Sequence, residues 1–172
     1  KSVPVQDNTK EEKLIDKMVQ DNIGAMLIQE TWKPGNHNNV EIGDTGCYMF
    51  SHNREIGVKG NEHLRRGVAI ILSPSFHEAW VEGGSKAPIT TDLKSKHGGR
   101  FISLYLKFNT YDTRGKRIVG KSTSFNLTSV YHPHDEKECD EFNEILDEKI
   151  TKAKRNKGAI IMGADINAKL GV

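Results

Sequence analysis

The sequence predicts an α/β or mixed α+β fold in which helices pack on sheets. Three observations carry that expectation. Strand-like runs outnumber amphipathic helical stretches, and each clear helical stretch stands just before a short apolar strand. A third segment, Arg100 to Phe108, alternates apolar and polar residues as a strand with one buried face does.

Taken in order, Thr9 and Glu12 form a capping-box pattern, and Leu14, Ile15, Met18 and Val19 follow at helical spacing. A helix is therefore expected from about Lys10 to Asn22. Ala25 to Gln29 reads as a short buried strand that delivers Gln29, Glu30 and Thr31 at its C-terminal end, and Cys47 to Phe50 as a weaker strand. Gly67 to Leu72 is a stronger strand, stopped by Pro74. In the alternating segment Ile102, Leu104, Leu106 and Phe108 face one way, while Ser103, Tyr105 and Lys107 face the other. Thr113 to Lys116 is a turn at the tip of a hairpin that returns through Ser124 to Tyr131. Asp135 with Glu138 repeats the capping pattern before a second amphipathic helix built on Phe142, Ile145, Leu146 and Ile150, which ends near Lys157 and Gly158. Ala159 to Met162 is the last strand, read as buried. The Gly-rich polar stretches Lys33 to Gly46 and Phe76 to Gly99 read as surface loops.

With 172 residues, of which 35% are hydrophobic and 28% charged, the chain has room for one domain and a substantial core. Its 25 basic and 23 acidic side chains leave a formal charge of +2, which neither demands nor excludes nucleic acid, because a basic stripe can hide in a neutral total. Cys47 and Cys139, far apart in the chain, make no disulfide framework, so an intracellular, reducing location is expected. No apolar run is long enough to span a bilayer, and the start carries no signal-peptide core. Asn126-Leu127-Thr128 is formally a glycosylation sequon, but it lies in an alternating strand and reads as accidental. The sequence starts at Lys1 and stops at Val172, directly after a strong motif, so both ends are expected to be cut.

Glu30 and Asp165 stand out because each ends an apolar strand. Side chains at the C-terminal ends of neighbouring strands converge on a common rim, where α/β sheets bind ligands. A carboxylate there suits Mg²⁺, which takes a few protein oxygens and keeps several waters. Asn167 lies two residues past Asp165, so on extended backbone both side chains point the same way. Together an Asp and an Asn can hold an attacking water and donate to a phosphate oxygen. The plain alternative is a solvated strand end at Glu30 and a capped turn at Asp165 and Asn167. Spacing alone does not decide between the two. His132 and His134, two apart on extended backbone, share a face that could ligate zinc. A metallohydrolase pattern would want further histidines downstream, and none follows, so a solvated loop edging the cleft is expected there.

Leu27-Ile28-Gln29-Glu30-Thr31-Trp32 resembles the Gln-Glu-Thr signature of the endonuclease/exonuclease/phosphatase superfamily. That superfamily includes abasic-site endonucleases, deoxyribonucleases and the endonuclease domains of non-LTR retrotransposons. Arg66 to Ile70 resembles its Gly-Val-Ala/Gly-Ile strand, and Arg100 to Leu104 its next core strand. Val130-Tyr131-His132-Pro133 resembles its Tyr-x-Pro element, and Met162 to Ala168 its Gly-Asp-Phe-Asn-Ala element, with Ala164 intervening between Gly163 and Asp165. Five elements in the right order are more specific than any one, and the retrotransposon branch is nearest in pattern. The resemblance implies a two-sheet sandwich flanked by helices, and a Mg²⁺-dependent phosphodiesterase, most often a DNA endonuclease. It implies that Glu30 is a metal ligand and that Tyr131 contacts the scissile phosphate. Asp165 would then orient or deprotonate the attacking water, and Asn167 would bind the phosphate.

The same resemblance calls for a first strand with an Asn near the metal and a late Ser-Asp-His element. Val3, Val5 and Asn8 make no convincing match to the first, and no residue matches the second. The chain is therefore expected to be a single truncated domain (residues 1–172) lacking the first strand and the C-terminal strands. It should be weak or inactive alone, with sheet edges left for a protein partner to cover. The alternative function is a catalytically dead remnant serving as a binding or structural subunit. Basic residues cluster at Arg65 and Arg66, at Arg114 to Lys121, and at Lys149 to Lys157. Arg66, Arg114, Lys116 and Arg117 are the candidate nucleic-acid contacts, the last three on the hairpin tip. DNA or another phosphodiester is the expected partner. Trp32 and Trp80 could stack on bases, with packing as the default.

Overall fold

The computed structural model describes residues 10–31, 35–53 and 66–167. Thr9, Trp32, Arg65, Ala168 and the first-strand candidates Val3, Val5 and Asn8 lie outside the described residues. Among the described residues the architecture is an α/β sandwich of two four-stranded sheets with three helices. Sheet A has the order β1-β4-β3-β2, from β1 (Ala25–Gln29), β2 (His37–Glu41), β3 (Tyr48–Asn53) and β4 (Gly67–Leu72), all antiparallel. Sheet B has the order β5-β6-β7-β8, from β5 (Ile89–Thr90), β6 (Phe101–Tyr111), β7 (Arg117–Tyr131) and β8 (Ala159–Asp165). The β7–β8 pair is parallel and the others antiparallel.

Period-two patterning places the core. Val68, Ile70 and Leu72 on β4 and Phe50 on β3 meet Ile102, Leu104, Leu106 and Leu127 between the sheets. On the outer face of sheet A, Ile15 and Met18 of α1 (Lys10–Gln20) cover Cys47 and Ile71. On the outer face of sheet B, Phe142 of α3 (Glu136–Lys154) covers Phe101 and Val130. The α3 start is read correctly from sequence: Asp135 caps it, its carboxylate accepting from Lys137 N and Glu138 N at 2.9 and 3.3 Å.

Several expectations need correction. The two stretches expected to be loops contain β2, β5 and all but the first two residues of α2 (Pro74–Glu82). Pro74, taken only as a strand stop, sits in the first turn of α2, where its missing N–H costs no hydrogen bond. The hairpin strands run further than the apolar alternation suggested, to Tyr111 and from Arg117. Strand β8 is not buried. Among the described residues it pairs with β7 alone at the edge of sheet B, leaving Ile161 and Met162 47% and 40% exposed. The sequon asparagine, Asn126, is buried and donates to Gly158 O at 3.1 Å, which leaves no room for a glycan. Cys47 and Cys139 are both free, and among the described residues no helix is long and apolar enough to cross a membrane.

Candidate functional site

Glu30 and Asp165 end strands of different sheets, not of neighbouring strands in one sheet as the rim argument supposed. They still meet at one end of the sandwich because β1 and β8 lie side by side there. Gln29 Nε2 donates to Ser129 Oγ of β7 at 2.9 Å and to Gly163 O of β8 at 3.2 Å, and Ser129 Oγ donates to Ile28 O at 2.8 Å. Gly163 is the close approach that permits this: a Cβ there would lie 3.0 Å from Leu27 Cβ and Cδ1. Gln29, which the motif reading left without a role, thus joins the two sheets under the rim.

Tyr131 is the last residue of β7, in register with Asp165 of β8, and it is buried. Its backbone is held on both sides by Arg100: Tyr131 N donates to Arg100 O at 2.9 Å, and Arg100 Nη1 donates to Tyr131 O at 3.2 Å. Arg100 is itself buried and lies 3.4 Å from Glu138 of α3 through Nη2. The Tyr131 hydroxyl crosses to the other sheet and donates to Glu30 Oε1 at 2.5 Å. Burial first, then this bond and the Glu30 charge, push the phenol up to about 12, against smaller opposing effects of Asn167 and Arg100. It is a neutral donor at physiological pH.

His134 joins this pair, its Nε2 lying 3.0 Å from the Tyr131 hydroxyl. Because the hydroxyl proton goes to Glu30, the bond requires the hydrogen on His134 Nε2, an assignment made from the hydrogen-bond network. The solvated-loop expectation holds for exposure but missed this contact; no sequence spacing announces it. His132 points elsewhere, with Nε2 3.0 Å from Asn143 Oδ1 and Nδ1 3.3 Å from Pro133 O. The two histidines therefore share no ligand position.

Asp165 and Asn167 are brought to the same rim, in a tighter form than extended backbone would give. Asn167 is left-handed (φ 47°), its N–H donating to Asp165 Oδ1 at 3.1 Å and its Nδ2 to His132 O at 2.7 Å. Asp165 O accepts from His132 N at 2.8 Å. This is the capped turn of the plain alternative, placed beside Tyr131. Across the rim, Thr31 Oγ1 donates to Asn53 Oδ1 at 2.5 Å over Gly67. A Cβ at Gly67 would lie 2.0 Å from Thr31 Oγ1 and 2.3 Å from Asn53 Oδ1, so this contact needs glycine.

Of the candidate nucleic-acid contacts, only Arg66 stands at this end. Its Nη1 donates to Lys96 O at 2.6 Å and its Nη2 lies 3.7 Å from Glu138. Arg114, Lys116 and Arg117 sit at the opposite end, on the tip beyond Tyr111, ten residues or about 33 Å along β6 from Phe101. Trp80 is core, with Nε1 donating to Lys86 O at 3.0 Å. Among the described residues no group of three or more His, Cys, Asp or Glu could hold a metal ion.

No protein-family model matches the chain, and no curated protein matches it. One similar solved structure is the endonuclease domain of TRAS1, a telomere-specific non-LTR retrotransposon. It shares 16% identity with a TM-score of 0.44 and covers 92% of this chain and 53% of its own. The chain thus spans about half the length of that domain.

Proposed function

We propose that the chain is a Mg²⁺-dependent phosphodiesterase domain of the endonuclease/exonuclease/phosphatase type, acting on DNA and weak when it stands alone. The observation that supports this most is the meeting of Glu30, Tyr131, Asp165 and Asn167 at one rim from two sheets, with Tyr131 hydrogen-bonded to Glu30. Scattered cap residues would have no reason to converge.

The rim suits Mg²⁺ as a loosely held ion: Tyr131 takes Glu30 Oε1, and a cation would take Oε2 with waters completing its shell. When bound, Mg²⁺ neutralises charge on a non-bridging phosphate oxygen. The protein's own residues do the rest. Asp165 orients a water toward phosphorus and accepts its proton as the new P–O bond forms and the bond to the leaving oxygen breaks. Asn167 Nδ2 and the Tyr131 hydroxyl are donors for the charge that develops on phosphate. His134 adds a third polar group on the exposed side of Tyr131.

Low activity follows from how these groups are already engaged. Tyr131 donates to Glu30 and Asn167 to a backbone carbonyl, so each must exchange a partner before it serves phosphate. That engagement also favours a second reading, a remnant of the fold that binds or assembles without cutting. The test is cleavage of plasmid and abasic-site DNA by the purified chain, with and without Mg²⁺, beside Asp165→Ala. Slow Mg²⁺-dependent nicking at high protein concentration, lost in the variant, is expected. Cutting that persists in Asp165→Ala would overturn the site, and no Mg²⁺-dependent cutting at any concentration would select the second reading.

A further inference from the structure

The β6–β7 hairpin forms an arm that the rim does not use. From Thr110 to Thr123 every residue except Ile118 is exposed, so the two strands leave the sandwich as a ribbon with solvent on both faces. Ile118 to Lys121 oppose Thr110 alone between the Asn109–Ser122 and Tyr111–Arg117 pairs, a bulge that increases the local twist. The tip is organised by Asp112, whose Oδ1 accepts from Arg114 N at 2.9 Å and from Lys116 N at 2.8 Å. The base is tied to α2 by Glu82, which accepts from Asn109 N, from Asn109 Nδ2 and from the Tyr111 hydroxyl.

Those bonds engage Asp112 at the tip and Glu82 at the base, and the Arg117 charge beside Glu82 helps to hold that carboxyl below its usual range. Arg114, Lys116, Arg117 and Lys121 stand against Asp112 alone on this segment, in a chain whose whole formal charge is +2. The arm is therefore a net-positive, preorganised two-stranded ribbon. A two-stranded ribbon fits the B-form major groove, which is about 12 Å wide, whereas the A-form major groove is too narrow for side chains to read.

We propose that this arm is a DNA-docking element that enters the major groove of a B-form duplex and contacts its phosphates with Arg114, Lys116 and Arg117. The proposal takes from the reading above only the class of ligand and is independent of chemistry at Glu30. Because the tip lies about 33 Å from the rim along β6, a duplex touching both must present about ten base pairs or more between them.

The test is anisotropy titration of the full chain with a 20-base-pair DNA duplex in EDTA at several salt concentrations, so that a dead or absent catalytic centre cannot affect the result. Arg114→Ala, Lys116→Ala and Arg117→Ala together should weaken binding about tenfold at 0.1 M salt and lower the salt slope by about two to three. The turn itself uses backbone N–H groups of Arg114 and Lys116, so the variant keeps its tip, which circular dichroism checks. Lys152→Ala with Lys154→Ala, at the exposed end of α3, should leave the slope unchanged. A 20-base-pair RNA duplex should bind more weakly than DNA. An unchanged slope in the triple variant, an equal loss in the α3 variant, equal RNA affinity, or no DNA binding at 20 mM salt would each overturn the proposal. Arm-dependent binding to phosphatidylserine vesicles in preference to DNA would do so as well.

Discussion

Tyr131 of sheet B donates its hydroxyl proton at 2.5 Å to Oε1 of Glu30, the residue that follows β1 of sheet A, so a side-chain bond ties the two layers of the sandwich at the candidate site. A bond to a charged group contributes about 1.5–3 kcal/mol when both partners are buried. Glu30 is exposed, and solvent screening reduces that figure. Tyr131→Phe is therefore expected to lower unfolding free energy by about 1 kcal/mol, read from urea melts. Glu30→Gln should lower the Tyr131 phenol from about 12 without returning it to 10, because burial is the largest cause of the shift and remains. A titration of the Tyr131 ring by NMR checks this; no change in the variant would mean that Glu30 does not hold the hydroxyl.

Gly67 is expected to be intolerant of any side chain. Gly67→Ala would drive a Cβ to 2.0 Å from Thr31 Oγ1 and 2.3 Å from Asn53 Oδ1, so the Thr31–Asn53 bond must break or the strands shift. The cost should be about 1–3 kcal/mol, in the range of overpacked cores. Thermal melts of Gly67→Ala would show it, and a wild-type midpoint would mean that the rim is looser than these distances.

Stability should depend on pH through His52. Its ring is buried and 3.0 Å from Thr91 Oγ1; burial lowers its pKa to about 4, only partly offset by Thr91 and Asp92. A histidine held neutral in the fold but free to protonate at its ordinary 6.5 when unfolded favours the unfolded state as pH falls. Stability should be full above about pH 6.5 and decline down to about pH 4, by on the order of 2–3 kcal/mol. Carboxylates titrate near the lower end of that window, so the measurement is the difference from His52→Gln. If both proteins lose stability in parallel from pH 6.5 to 5, His52 is not the cause.

The strands that carry Glu30 and Asp165 are legible because each is a short apolar run with a polar end, and the strand that carries Tyr131 because it returns from a turn in alternating pattern; in each case the physical signal is local. What stayed hidden is set by partners distant in sequence. Arg100 reads as the first residue of an alternating strand, with nothing in the sequence to give it a partner, yet it is buried against Tyr131 and Glu138. His134 reads as loop, and only the fold brings its ring to the Tyr131 hydroxyl. The edge position of β8 was missed for the same reason: Ile160-Ile161-Met162 is as apolar as a central strand, and sequence does not state which flank lacks a neighbour. The hairpin charges were visible, but not that they stand at the end opposite the rim, because strand length was underestimated where the alternation turns polar.

Divalent-cation binding gives the most direct test of the rim itself. If Glu30 is the protein ligand, Mn²⁺ should bind weakly, with Mg²⁺ competing, as expected for a carboxylate completed by waters. Glu30→Gln should abolish the signal in water-proton relaxation. Tyr131→Phe should weaken it about tenfold, since partners that orient a ligating carboxylate typically contribute at least that much. His132→Gln, whose ring faces Asn143 and not Tyr131, should leave it unchanged. Retention in Glu30→Gln would move the ion elsewhere on the chain. Retention in Tyr131→Phe alone would leave Glu30 as the ligand but reduce the bond across the sheets to a structural one. Loss in all three would point to the rim's folding instead of its ligands, which melting of each variant resolves.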